Sequence, residues 1–285
     1  MRKNISLLIF LFSLTAFGQQ LKWAQNFSGA FIQEGTSLVV DSAGNTFAVG
    51  VFQGNTDFQP GLGVTTVGSA GNFDVYVSKF DPNGTVLWVK TFGGSTRVYA
   101  RSVDLDPNGN IIISGYFRGT IDFDPSNSNF SLTASGLHDV FVLKLDNSGN
   151  FLWAKAFGGP YLDEGLSSTV DDFGNILTIG FTSDTLIDFD PGAGISNQHG
   201  GYFIHKLNAQ GNFVWAKIFE FRRSSFLEIR DISIDSHGNI YTIGAFSDSV
   251  DVDPGPGINN IYANVAVNFG YSGPDVFILK LDTAG

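Results

Sequence analysis

The chain has 285 residues, no cysteine, and 16 Lys and Arg against 27 Asp and Glu, for a net charge of −11. The missing cysteines remove disulfides, thiolate nucleophiles and cysteine-ligated zinc together, and the acidic balance disfavours nucleic acid and anionic lipid surfaces as partners. Thirty-five Gly, 28 Phe and a single Met suit a turn-rich, aromatic-packed β protein better than a helical one.

Residues 1–18 read as a secretory signal peptide. Arg2 and Lys3 form the charged start, residues 5–17 are apolar, and Ala16-Phe17-Gly18 offers a small-x-small cleavage pattern before Gln19. Thirteen apolar residues fall short of the roughly 20 that span a bilayer. Export to the cell surface or medium, without membrane insertion, is therefore expected. Loss of Arg2 and Lys3 leaves 14 basic and 27 acidic residues, or −13.

From here the chain is repetitive. Trp23, Trp88, Trp153 and Trp215 are spaced 65, 65 and 62 residues apart, and each leads to a phenylalanine at 27, 92, 157 and 219. A short segment then closes on Asp41, Asp106, Asp171 or Asp235, in a D-x-x-G-N turn. An apolar run follows, ending on Gly50, Gly115, Gly180 or Gly244. Next comes a D-F-D-P-like loop at 57–60, 122–125, 188–191 and 251–254. A D-V-F-V-x-K-L-D segment closes the unit at 74–81, 139–146 and 275–282, with a degenerate copy at 201–208. The approximate units are 22–87, 88–152, 153–214 and 215–285.

Each unit supplies four short strands, expected in the clearest copy at 102–105, 111–117, 140–145 and 152–157. Turns with Asp first and Gly fourth suit a type I turn with a left-handed glycine. Four strands in four tandem units predict an all-β fold, a β-propeller of four-stranded blades shielding its sheet edges by radial repetition. W-A-K-x-F-G-G, D-x-x-G-N-I and D-V-F-V-x-K-L-D also resemble the SBBP-type β-propeller repeat of exported bacterial proteins, over essentially all of 22–285. That resemblance implies secreted or surface cargo, often of the type IX secretion system. It also implies that the Asp-ending strand is innermost and the Trp strand outermost. The chain then begins on an outer strand, 21–27, and stops within a turn, so a larger propeller is expected, the alternative being a closed four-blade ring in which that first strand completes the fourth unit.

Repetition filters the candidate sites, because a residue recurring in every unit serves the fold. The tryptophans read as packing, the turn aspartates as turn caps, and Lys79, Lys144, Lys206 and Lys280 as snorkelling strand lysines. The innermost strands alternate, and the face carrying Ser37, Ser102, Asp104, Ser167 and Asp231 is expected to line a channel. Glu34, Tyr99, Glu164 and Glu228, seven residues before each strand-ending Asp, approach its mouth. Glu34, Tyr99, Asp104, Glu164, Glu228 and Asp231 are thus the binding candidates. The pairs Asp122/Asp124, Asp188/Asp190 and Asp251/Asp253 offer two carboxylates each, few against the 6–8 oxygens calcium takes. Calcium is a minor reading and no other cofactor is expected.

Enzymatic motifs are absent: His138, His199, His205 and His237 lack metal-ligand spacing, and there is no nucleophile elbow or phosphate loop. Arg222 and Arg223 mark the least regular connection. The sequence favours a non-enzymatic binding or scaffold module for an extracellular protein or glycan. The alternative is a glycan-active hydrolase or lyase using Glu34, Glu164 or Glu228 at the channel mouth.

Overall fold

A computed structural model describes residues 20–59, 66–219, 227–264 and 274–285. The signal-peptide segment, Pro60, Arg222 and Arg223 lie outside the described residues. The described chain is all-β, its paired strands are antiparallel, and they gather into four principal sheets, with single parallel bridges at Phe73–Arg97 and His138–Leu162.

Each sheet follows the unit in chain order. Sheet one comprises Gln33–Val40, Thr46–Phe52, Asp74–Phe80 and Val86–Phe92. Sheet two comprises Arg97–Leu105, Ile111–Arg118, Asp139–Leu145 and Phe151–Phe157. Sheet three comprises Asp163–Val170, Ile176–Thr182, Gly201–Leu207 and Phe213–Phe219. Sheet four has three strands, Leu227–Ile234, Ile240–Phe246 and Asp275–Leu281. The first strand of each sheet touches the first strand of the next, so these strands are the inner ones. The expected strands of sheet two are all present, with the inner one starting earlier, at Arg97.

The D-x-x-G-N turns form as turn chemistry requires. Asp106 accepts the backbone N–H groups of Asn108 and Asn110 on Oδ1, at 2.8 and 2.9 Å, and the Asn110 amide on Oδ2. Gly109 sits at φ 76°, where a side chain would be strained. Asp41, Asp171 and Asp235 repeat the arrangement. The D-F-D-P-like loops carry short hairpins that the sequence pattern does not announce: Asn55–Asp57 with Thr66–Gly68, Thr120–Asp122 with Ser131–Thr133, Ile187–Asp188 with Asn197–Gln198, and Ser249–Asp251 with Asn260–Tyr262.

Successive sheets are joined by a recurring junction. A Cβ built on Gly84, Gly149, Gly211 or Gly285 would fall within 3.2 Å of the ring of Trp23, Trp88, Trp153 or Trp215 respectively. Each tryptophan therefore lies on the tight turn of the following sheet. The phenylalanine four residues on does the same with aromatic partners. Phe92 of sheet one meets Phe123 and Phe141 of sheet two at 5.7 and 6.2 Å. Phe157 of sheet two meets Phe189 and Phe203 of sheet three at 5.7 and 5.6 Å.

Three expectations change. Residues 21–27 are not a strand, although Trp23 and Phe27 still pack on sheet one as an outer strand would: Phe27 meets Phe58 and Tyr76 at 4.9 and 5.3 Å. Among the described residues no strand pairs with that segment. The strand lysines do not all snorkel, since Lys79 and Lys144 are buried. Lys144 pairs with buried Asp106 at 2.8 Å and donates to the Ala209 carbonyl of the next sheet at 3.1 Å. Burial raises the Asp106 carboxyl, but the bonds from Lys144 and Asn110 outweigh it and hold the group below its ordinary range. Finally, the polar face of the inner strands is spent partly on bonds between sheets.

Candidate functional site

Every inner strand carries a β-bulge at one repeat position, between Gly35 and Ser37, Ala100 and Ser102, Gly165 and Ser167, and Ile229 and Asp231. The bulged residues are Thr36, Arg101, Leu166 and Arg230. A bulge re-aims its side chain, and this one resets the alternation along the strand. Below it, Ser37 Oγ accepts from the Val103 N–H at 3.2 Å, and Ser102 Oγ donates to the Ser168 carbonyl at 3.3 Å. Asp104 Oδ2 accepts the Val170 N–H at 3.0 Å, and Asp231 Oδ1 accepts the Ser167 hydroxyl at 2.8 Å. Asp104 and Asp231 are thus clamps between neighbouring sheets rather than free channel carboxylates. Burial pushes the Asp104 carboxyl upward, against bonds from Leu105 and Val170.

Above the bulge lie the other four candidates, on four different sheets. Glu34 is exposed beside Tyr76, whose hydroxyl is pushed up to about 12 by burial and then by the Glu34 charge. Glu164 accepts from or pairs with His138 Nδ1 at 3.2 Å, and Glu228 pairs with Arg230 at 2.9 Å. Tyr99 stacks on Tyr116, ring centroids 5.4 Å apart. Of the three glutamates named for glycan hydrolysis, two are engaged by a basic side chain, Glu164 by His138 and Glu228 by Arg230.

Around Tyr99 the repeat breaks down. Four rings form a row from sheet one across sheet two, with Phe73 on Tyr99 at 5.2 Å, Tyr99 on Tyr116, and Tyr116 on His138 at 4.8 Å. His138 then reaches Glu164 of sheet three. The Arg101 guanidinium lies 5.6 and 5.4 Å from the Tyr99 and Tyr116 rings and donates to the Tyr116 hydroxyl at 3.3 Å. The Arg97 guanidinium lies 5.7 Å from the Phe73 ring. Arg97 is also directly opposite Arg118 in the strand register. Like charges placed opposite each other destabilise a sheet, and no ion pair joins either arginine to an acid among the described residues. A cavity of about 330 Å³ opens here, lined by Asn72, Ser95, Thr96, Arg97, Arg118 and His138.

Sequence reasoning found Tyr99 and Glu164 in this group and missed Arg97, Arg101, Tyr116, Arg118 and His138. The available signal was departure from the repeat. Where sheet two has Arg97, sheets one and three have Ile32 and Leu162; where it has Arg118, the other units have Gln53, Ser183 and Ser247.

The Asp-x-Asp loops are turn caps. Asp122 Oδ1 accepts from the N–H groups of Asp124 and Phe130, and Asp188 and Asp251 repeat the pattern. Among the described residues no group of three or more His, Asp or Glu is placed to hold a metal ion.

No family model matches the chain. An uncharacterized WD repeat-containing protein of Acanthamoeba polyphaga mimivirus is 25% identical over 194 residues, covering 58% of this chain and 14% of that protein. A crystal structure of a protein of unknown function from Bacteroides caccae is similar at a TM-score of 0.38 and 9% identity, over 81% of this chain and 61% of that one. The chain thus spans about a seventh of the length of the curated relative it matches.

Proposed function

We propose that the protein is a secreted or cell-surface binding module of the β-propeller type, and that it works without catalysis. Three observations support the architecture: the repeated sheet, first strands that touch from each sheet to the next, and the relative named for WD repeats. The SBBP-like motifs and the signal-peptide pattern support export. The site reading is carried by one observation, the row Phe73–Tyr99–Tyr116–His138, which runs from sheet one across sheet two beside Arg97 and Arg118, positions where the other units carry no charge. A feature that the fold needs recurs in every unit. This one does not, and concave sites with convergent polar groups are where ligands bind.

The partner is an extracellular glycan or protein. Binding is tested by presenting purified wild-type chain and Arg101→Gln to a panel of neutral and charged glycans and extracellular peptides. Selective retention of a ligand by the wild type, weakened about tenfold or more in Arg101→Gln, is the expected result. Retention unchanged by the substitution places the site elsewhere. The glycan-active alternative predicts polysaccharide turnover that disappears in Glu164→Gln, and such turnover would overturn the non-catalytic reading. Glu164 is held by His138 and Glu228 by Arg230, which supports binding; a hydrolase would set two carboxyl groups about 5–10 Å apart across the bound sugar.

A further inference from the structure

We infer that the sheet-two cavity is a site for the carboxylate of an acidic sugar, a uronic acid residue within a polysaccharide. The inference rests on the binding-module reading and narrows it to a ligand class. Arg97, Arg101 and Arg118 are three of the chain's seven arginines, gathered at one end of one sheet in a protein of net charge −11. An acidic surface offers abundant partners for a stray arginine. Yet Arg97 and Arg118 face each other across the ladder and neither has an acidic partner among the described residues. The arrangement costs stability through mutual repulsion and gains it back when an anion lies between the two guanidinium groups.

The geometry suits a carboxylate. A guanidinium presents a planar fork of N–H donors that matches the two oxygens of a carboxylate. Phe73 lies against Arg97, 5.7 Å from ring centroid to guanidinium carbon, a cation–π contact that leaves the N–H donors at the guanidinium edge for a ligand. The rest of the lining favours sugar over peptide. Asn72, Ser95 and Thr96 bring an amide and two hydroxyls beside the arginines; Asn72 Oδ1 accepts from Gln53 and the Thr96 hydroxyl donates to the Arg118 carbonyl, so the Asn72 amide N–H, the Thr96 oxygen and Ser95 are what meet ring hydroxyls. The lining contains no large apolar side chain to receive a hydrophobic peptide residue. The cavity, about 330 Å³, is on the scale of one or two sugar rings.

The experiment is titration calorimetry of the full chain with oligogalacturonate, with a neutral glucan of the same length, and with a poly-glutamate peptide, at 50 and 300 mM salt. Arg97→Gln and Arg118→Gln are the variants, and both positions are on the rim, away from the buried core. Oligogalacturonate is expected to bind, the glucan and poly-glutamate to bind at least tenfold more weakly, and each variant to lose about tenfold in affinity. Higher salt is expected to weaken binding further, because exposed charge pairs are screened. Equal binding of poly-glutamate would overturn the sugar assignment in favour of an acidic peptide. Equal binding of the neutral glucan, binding indifferent to both substitutions, or no binding of oligogalacturonate would overturn the carboxylate site. A neutral ligand lost in Arg101→Gln but kept in both rim variants would leave the binding module standing and remove this inference alone.

Discussion

Gly115 lies opposite Ala100, and a Cβ there would sit 1.9 Å from the Tyr99 carbonyl oxygen. Gly50, Gly180 and Gly244 are pressed in the same way by the carbonyls of Glu34, Glu164 and Glu228. The repeat glycine thus exists to let the inner strand bulge, and the bulge is what aims Arg101. Gly115→Ala is expected to cost about 2–3 kcal/mol, within the range of overpacked interiors, measured as a lowered urea midpoint. A second residue-scale prediction concerns two buried titrating groups with opposite signs. Burial pushes the Asp163 carboxyl up to about 7 from 3.8, so between about pH 4 and 7 the folded chain keeps a proton that the unfolded chain has released. Stability from this group is therefore full at low pH and lost as pH rises toward 7. Burial lowers His205 to about 4 from 6.5, and its contribution is full above 6.5 and lost as pH falls toward 4. Over that range the two act in opposite directions, and the raised carboxyls of Asp74, Asp104 and Asp139 act with Asp163. Asp163→Asn removes one of these contributions, so its urea midpoints, measured at intervals from pH 4 to 6.5, are expected to climb relative to those of the wild type. A difference from wild type that stays flat or falls with pH would refute the assignment.

Between elements, the Lys144–Asp106 pair shows why identical repeat positions differ in weight. In sheet two both side chains are buried and the lysine also reaches the next sheet. In sheet four, Lys280 is 53% exposed and 4.0 Å from Asp235. Lys144→Met leaves a buried carboxylate unpaired and is expected to cost about 3 kcal/mol or more, recovered in part by adding Asp106→Asn. Lys280→Met is expected to leave the denaturation curve unmoved. Most of the elements were legible in the sequence for a physical reason: the landmarks are turn aspartates, left-handed glycines and ring–turn contacts, each dictated within a few residues. The short hairpins after the second strands were not, since strands of two or three residues carry no periodicity. The site was half legible. Tyr99 and Glu164 stand at a repeat position and could be found by counting. Arg101 required the bulge, which shifts the register by one, and His138 required knowing that sheets two and three meet there.

For the whole molecule, the two ends of the array are unlike its middle. Val140 and Val142 of sheet two are fully buried, as are Val75 and Val77 of sheet one, whereas their counterparts in sheet four, Val276 and Ile278, are 69% and 76% exposed. At the other end Leu38 and Val40 of sheet one are 64% and 53% exposed, beside a groove of about 280 Å³ that Trp23 and Phe80 help to line. Exposed apolar surface of this kind promotes association. Ile278→Glu is expected to leave the urea midpoint within error and to reduce light scattering of concentrated solutions; a large loss of stability would mean that the face is covered within the chain.

The tryptophan-on-glycine junction has a further implication, for how such chains change over time. Each sheet identifies its neighbour by a ring meeting a bare turn, and that handshake is the same at Trp88, Trp153 and Trp215. A gene that gains or loses one whole unit of 62–65 residues leaves every remaining junction chemically familiar. Sheet number can then drift by unequal recombination while the fold persists. The ring row spans sheets one and two, so it persists only where those two units stay side by side.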